Sequence, residues 1–429
     1  MQSVIIELGI FTLEVPFLVF YIFLYFVIVL LFYFFLRIFW YFIWLPWRQK
    51  KYLAEQKYCL LRLMMPRINE QGPEATENLF NALGACLKSG NFVEKNIKGY
   101  FQQSVSFEIA SFGGDIHFFI FTPLQNRDLI EAAVYSAYPD VEVHEVEDYT
   151  ERANFKFPNE DYDLWGTSFI LYNAAPYPIR TYKFFEHSIL DPKKVKDPFE
   201  GLIEIFSKLN PGEEVWFQFV VTPIKEDWTK EAEDLIKDIM EKARAEKKGK
   251  PLSLAQEFYH QVFTTGGGEA KKSEVKLTPP LPEGAKNMTR AIGAKISKTG
   301  FKVVPRMIYF APKAIFSPAK GISGVLGALN GFNTLDMNGL KPNSKTKTKV
   351  DYFFVKKRVT KRKNKILKAF KARGRNIPTG LIQVIEKPCI LNTEELASFY
   401  HFPYTGERVE AIKAISSRRG RPPTSLPVE

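Results

Sequence analysis

Between Lys341 and Arg375 the sequence carries 15 lysines and arginines against the single acid Asp351. The local net charge of +14 exceeds the +12 of the whole chain, so the remainder is close to neutral and the basicity is concentrated in one segment. Cations in this density neutralise phosphates and release counterions whatever the base sequence. Lys356, Lys357, Arg358, Lys361, Arg362, Lys363 and Lys365 are therefore the candidate contacts for a polyanion or a partner. Tyr352, Phe353 and Phe354 sit near the centre of the run and would stack on bases if exposed. The same residue types also suit a solvated helix face, anionic lipid headgroups or an acidic protein, and the sequence alone leaves these open.

No other constellation points to chemistry. His117, His144, His187, His260 and His401 show no metal-ligand spacing with one another or with the cysteines. Glu145, Glu147 and Asp148 could hold a cation, although a strand end facing solvent explains them better. Gly321, Gly324 and Gly327 recur at every third position, which is not the dinucleotide fingerprint and suits close packing or a bend of a helix. No Gly-x-x-x-x-Gly-Lys-Ser/Thr string, nucleophile elbow or zinc-protease motif occurs. The expectation is a non-enzymatic chain without a cofactor. Cys59, Cys86 and Cys389 are odd in number and far apart, which suits a reducing compartment and buried thiols.

The elements that must position the basic run begin with a membrane anchor. From Phe17 to Leu36 no residue is charged, and as a helix rising about 1.5 Å per residue this stretch crosses a hydrocarbon core of about 30 Å. A core helix would keep a polar stripe, and a cleaved signal would have a basic start and a small-residue cleavage site. Glu7 and Glu14 precede the span, whereas Arg37, Arg48, Lys50 and Lys51 follow it. Positive-inside then predicts a single pass through the cell membrane with the N-terminus outside and the rest cytoplasmic. Trp40, Tyr41, Trp44 and Trp47 read as an interfacial collar that Pro46 ends.

Beyond the anchor (1–47), the periodicities predict an α+β fold. Residues 50–150 alternate β-α-β-β-α-β, with strands at Tyr58–Met65, Ser104–Ala110, Ile116–Phe121 and Val141–Val146, and helices at Pro73–Leu87 and Asn126–Tyr138. This is the order of a ferredoxin-like unit. Residues 160–330 read as a second α+β lobe, again taken as ferredoxin-like, with strands at Thr167–Tyr172, Ile179–Phe185, Glu214–Val221 and Lys302–Phe310. Its helices are Pro198–Lys208, Trp228–Lys247, Gly284–Ser297 and Lys313–Leu329, with a mobile insertion over 248–285. Residues 331–405 hold a loop, a strand at Asp351–Val355, a basic helix at Thr360–Lys371, a strand at Gly380–Ile385 and a helix at Thr393–Tyr400; 406–429 is an extended tail.

Read in order, several stretches resemble a known kind of protein. LLRLMMPRINEQGPEATENLFNAL at 60–83, VSFEIASFGGDIHFFIFTP at 105–123 and AYPDVEVHEVEDYT at 137–150 are similar to the membrane-anchored, non-ATPase N-terminal region of bacterial type IV secretion or conjugation ATPase-like proteins, a domain of unknown function. ILNTEELASFYHFP at 390–403 and RRGRPPTSLP at 418–427 resemble the segment preceding the ATPase core of those chains. The chain is expected to end where the nucleotide-binding domain would start, so ATP hydrolysis is not carried over. The resemblance implies a scaffold that docks a separate P-loop ATPase or neighbouring copies. Membrane lipid and nucleic acid are further expected partners, and the chain is expected to be a homo-oligomer or part of a larger assembly.

Overall fold

The computed structural model of the protein describes residues 3–8, 11–66, 69, 71–153, 155–186, 198–225, 228–248, 282–375 and 386–403. The expected strand at 380–385, most of the 248–285 insertion and the 406–429 tail lie outside these residues. In chain order the elements are β1 (Ser3–Leu8), β2 (Phe11–Pro16), α1 (Phe17–Phe39), α2 (Leu45–Glu55), β3 (Tyr58–Met64), α3 (Pro73–Leu83), α4 (Phe92–Asn96), β4 (Val105–Phe112), β5 (Asp115–Pro123), α5 (Arg127–Ala137) and β6 (Glu142–Val146). There follow β7 (Tyr162–Leu171), α6 (Tyr182–Glu186), α7 (Pro198–Ser207), β8 (Glu214–Pro223), α8 (Thr229–Lys248), α9 (Glu283–Ile296), β9 (Gly300–Pro312), α10 (Pro318–Asn330), β10 (Leu340–Pro342), α11 (Val355–Ala372), β11 (Cys389–Asn392) and α12 (Thr393–Phe399).

The chain forms two units. The smaller comprises residues 1–57, 88–103 and 374–385. In it β1 and β2 pair antiparallel and lead into α1. From Val19 to Glu55 the helix is unbroken, with a hydropathy of 2.8 in its most apolar window and none of that window buried, so it is long and apolar enough to cross a membrane. Pro46 does not end it. The turn Trp40–Trp44 opens to a π-helix in which the Leu45 N–H reaches the Trp40 carbonyl, and this widened turn accommodates Pro46, which has no N–H to give to the next helical bond. Trp40, Trp44 and Trp47 pack in series, the first pair stacked and the second tilted, with ring centroids 5.9 and 5.5 Å apart.

The larger unit, residues 58–87, 104–373 and 386–429, is a nine-stranded antiparallel sheet in the order β10-β7-β9-β8-β4-β5-β3-β6, with β11 on β9. Strands from both predicted lobes join it, because β4 pairs with β8 along its length. Alternation of side chains gives the sheet two apolar faces. Phe107, Phe217, Phe219 and Met307 point to one, where α3, α5, α7, α10 and α12 supply Phe80, Val134, Phe206, Val325 and Leu396. Ala110, Trp216, Ile308 and Phe310 point to the other, where α11 supplies Ile366, Leu367 and Phe370. The glycine run in α10 is a packing device at Gly324, where an added Cβ would lie 3.2 Å from Ile205 of α7.

Two predicted strands are absent. Around Ile179–Phe185 the backbone N–H groups of Ile179 and Tyr182 donate to the side chains of Glu395 and Ser398, so no ladder forms and Tyr182–Glu186 turns helical. At Asp351–Val355 the backbone of Phe353 and Phe354 is left-handed (φ 41 and 49°), which a pleated strand cannot accommodate, and α11 starts at Val355.

Candidate polyanion-binding surface

α11 is amphipathic. Ile366, Leu367 and Phe370 face the sheet, and Gly166 lets the helix approach, since a Cβ there would lie 3.2 Å from both Ile366 and the Met307 carbonyl. The opposite side carries Lys357, Lys361, Lys365 and Lys368, spaced four, four and three residues apart on one face and all exposed. Lys356 and Arg358 are exposed beside them at the start of the helix.

The structure divides the seven residues singled out from the sequence. Lys356, Lys357, Lys361 and Lys365 remain on the surface. Arg358 donates to the Tyr352 carbonyl (2.6 Å) and fixes the turn before the helix. Arg362 donates to the carbonyls of Lys347 (2.7 Å) and Lys349 (3.2 Å), tying down the preceding loop. Lys363 pairs with Asp163 and lies over the Phe157 ring. Tyr352, Phe353 and Phe354 are 75, 83 and 78 % exposed, an aromatic knuckle at the head of the lysine face.

What holds α11 in place was not legible in the basic run. Glu108, Gln218 and Arg306 stand directly opposite one another on β4, β8 and β9. Gln218 donates to Glu108 (2.8 Å) and accepts from Arg306 (2.8 Å), whose guanidinium also clasps Glu386. The last residues of α11 close onto this ladder. Gln218 donates to the Phe370 carbonyl (3.1 Å), and Arg373, left-handed at φ 45°, donates from Nε to Glu108 (2.7 Å) and from Nη1 to Asp148 (2.5 Å). Tyr149 and Ser106 complete the shell of Glu108. Burial pushes the Asp148 carboxyl up, but the hydrogen bonds and charge of Arg373 outweigh it and hold the pKa below its ordinary 3.8. One of the basic run's arginines is thus a fully buried structural residue. The signal for it was Glu108, the one charged residue in the strand VSFEIASF.

A second buried network fastens α12. Its cap is reciprocal: Asn392 accepts from Glu395 N–H (2.8 Å) and Glu395 accepts from Asn392 N–H (3.0 Å). Glu395 also pairs with Lys295 (3.1 Å), and Lys298 bridges Glu77 and Glu394 (2.5 and 2.6 Å). Burial pushes the Glu394 carboxyl up, yet Lys298 and Thr181 together lower it below its ordinary value.

Of the remaining candidates, Glu145 pairs with Arg127 (2.5 Å) and Asp148 with Arg373, while Glu147 is exposed. His401 is buried against Phe199, whereas His187 and His260 lie outside the described residues. Among the described residues no group of three or more His, Cys, Asp or Glu is arranged to hold a metal ion. None of the three cysteines is in a disulfide; Cys59 and Cys389 are buried and Cys86 is half-buried. Of the topology residues, Arg37 lies over the rings of Tyr33 and Tyr41, Arg48 donates to the Ile97 carbonyl (2.9 Å), and Lys50 and Lys51 are exposed.

Fold and surface together define an α+β protein with one apolar N-terminal helix and a basic helix laid across an antiparallel sheet. The chain belongs to the family described as domain of unknown function DUF8128, whose model matches residues 53–404. No curated protein matches it.

Proposed function

We propose that the chain is a non-enzymatic, membrane-anchored component of a type IV secretion-like or conjugation-like apparatus. In this reading α1 crosses the cell membrane once with the N-terminus outside, and the basic residues after it, Arg48, Lys50 and Lys51, keep the sheet unit in the cytoplasm. The observation that carries the proposal is the lysine face of α11, pinned from below and open above. Catalytic sites gather titratable groups in a concave cleft, whereas these cations stand on a convex helix, a geometry suited to contact rather than turnover. The face would dock the acidic surface of a separate P-loop ATPase or of neighbouring copies. In chain order each half of the sheet runs fourth-first-third-second, from β10-β7-β9-β8 and, mirrored, β4-β5-β3-β6, which supports the reading as two ferredoxin-like lobes.

The exposed Tyr352-Phe353-Phe354 knuckle favours a second reading, a membrane-tethered nucleic-acid binder. One experiment separates the two. The full chain, wild type and Lys357→Glu/Lys361→Glu/Lys365→Glu, is cross-linked in its native membranes and purified, and nucleic-acid binding is followed across a salt series. Recovery of an ATPase with the wild type and not with the variant is the expected result. No ATPase, together with salt-sensitive nucleic-acid binding that the variant loses, replaces the first reading with the second; neither signal removes both.

A further inference from the structure

Residues 88–103 belong to the same unit as the span, and their contacts run along α2 in a fixed direction. The Tyr100 ring packs edge-on against Tyr52, with centroids 5.6 Å apart. Three residues earlier the Ile97 carbonyl accepts from Arg48, one helical turn nearer the membrane. Gly99, at φ +74°, lies so close to the Arg48 backbone that an added Cβ would fall 2.5 Å from it, so this crossing is tight. At the other end of the segment the Lys88 carbonyl accepts from the Tyr100 hydroxyl (3.0 Å), and Gly90 lies against the Tyr100 ring. Both ends of the segment are therefore tied to α2 between Arg48 and Tyr52.

Between these ends lies α4, a short helix fixed by a reciprocal cap in which Asn91 accepts from Glu94 N–H (2.8 Å) and Glu94 accepts from Asn91 N–H (2.9 Å). A built cap on an exposed turn keeps its side chains in a set direction. Those side chains are apolar and uncovered: Phe92 is 76 %, Val93 47 % and Ile97 47 % exposed. Lys88, Lys95 and Lys98 surround them on the surface. An apolar patch among lysines, on a segment clasped at Arg48 and Tyr52 to the continuation of a membrane-length helix, has the chemistry of the headgroup–acyl boundary.

We propose that α4 is an interfacial foot that seats Phe92, Val93 and Ile97 in the bilayer that α1 spans, with Lys88, Lys95 and Lys98 towards anionic headgroups. The inference rests on the anchoring reading of α1. Two contacts, a span and a foot clasped to the helix just beyond it, would resist rotation and tilt of α2 where a lone span would not.

The test is photolabelling of the full chain reconstituted in bilayers that contain an anionic lipid and a tail-diazirine lipid, followed by peptide mapping. Lipid adducts are expected on the span and on the Ser89–Lys95 peptide. In Phe92→Glu/Val93→Glu, whose substitutions fall on exposed side chains, the adducts on 89–95 should be lost while the span keeps its labelling. Adducts on the span with none on 89–95 of the wild type overturn the foot and leave the anchor standing. Absence from both removes the anchor and the foot together. A protein cross-link through Phe92 in place of lipid adducts also overturns the proposal and makes α4 a docking point between copies.

Discussion

Arg373 closes α11 in a left-handed conformation and delivers its charge to Glu108, both side chains fully buried. Removing one partner of a buried pair leaves the other charged and desolvated, which typically costs about 3 to 5 kcal/mol. Arg373→Met should therefore lower the stability of the sheet unit by that order, read from denaturant unfolding of the detergent-solubilised chain with fluorescence of the buried Trp216. A loss below about 1 kcal/mol would place the pinning of α11 in its apolar contacts alone. Acid offers a gentler probe. Because the folded pKa of Asp148 lies below that of the unfolded chain, its contribution is fully present above the ordinary carboxylate value of 3.8 and is lost as pH falls through the depressed folded value. Asp148→Asn should accordingly be less stable at neutral pH and show a shallower loss on acidification, measured as melting temperature between pH 6 and pH 3. An acid limb unchanged from wild type would assign it to other carboxylates, Glu394 first.

The elements of the sheet unit follow from period and punctuation where one face meets one core. β4, β8 and β9 are apolar runs long enough to be buried on both faces, and α3 and α5 carry an apolar stripe, so the sequence places them within a few residues of their ends. Period and punctuation mislead where backbone donors are taken by distant side chains, as at Ile179 and Tyr182, or where a turn is stabilised by a side chain further on, as Arg358 stabilises Tyr352 and Phe353. Helix α11 was legible as a basic helix, but its seat was not. Gly166, which falls just before the strand predicted at Thr167–Tyr172, is the position that admits Ile366. Gly166→Val should overpack this contact at a cost of about 1 to 3 kcal/mol. Faster amide exchange over 355–372 would register the loosening, and Ile366→Ala in the same chain should restore part of the protection. Unchanged exchange in Gly166→Val would mean that the helix can shift without loss.

In the larger unit one continuous sheet takes its strands from both halves of the soluble sequence, and the pair that unites them is β4 with β8. That pairing also aligns Glu108 with Gln218 and, through β9, with Arg306. The register that joins the halves is therefore the register that builds the polar ladder under α11. A slip of one residue would turn every side chain of a strand to the other face and put Glu108 among the phenylalanines of the helical layer. Buried polar ladders of this kind raise the cost of alternative pairings, and here they couple the position of the basic helix to correct assembly of the whole sheet.

The sequence by itself determined what depends on neighbours in the chain: an apolar helix of membrane length, the concentration of positive charge between Lys341 and Arg375, and the mixed α+β character. Local periodicity records which side of an element is apolar and how much charge it carries. It does not record what covers that side. Only the tertiary structure decided that Lys357, Lys361, Lys365 and Lys368 stay on the surface while Arg362, Lys363 and Arg373 are spent on internal partners, and it did so through contacts such as Arg373 to Glu108, 265 residues apart. Charges pair by distance in space, and a sequence orders them only by distance along the chain.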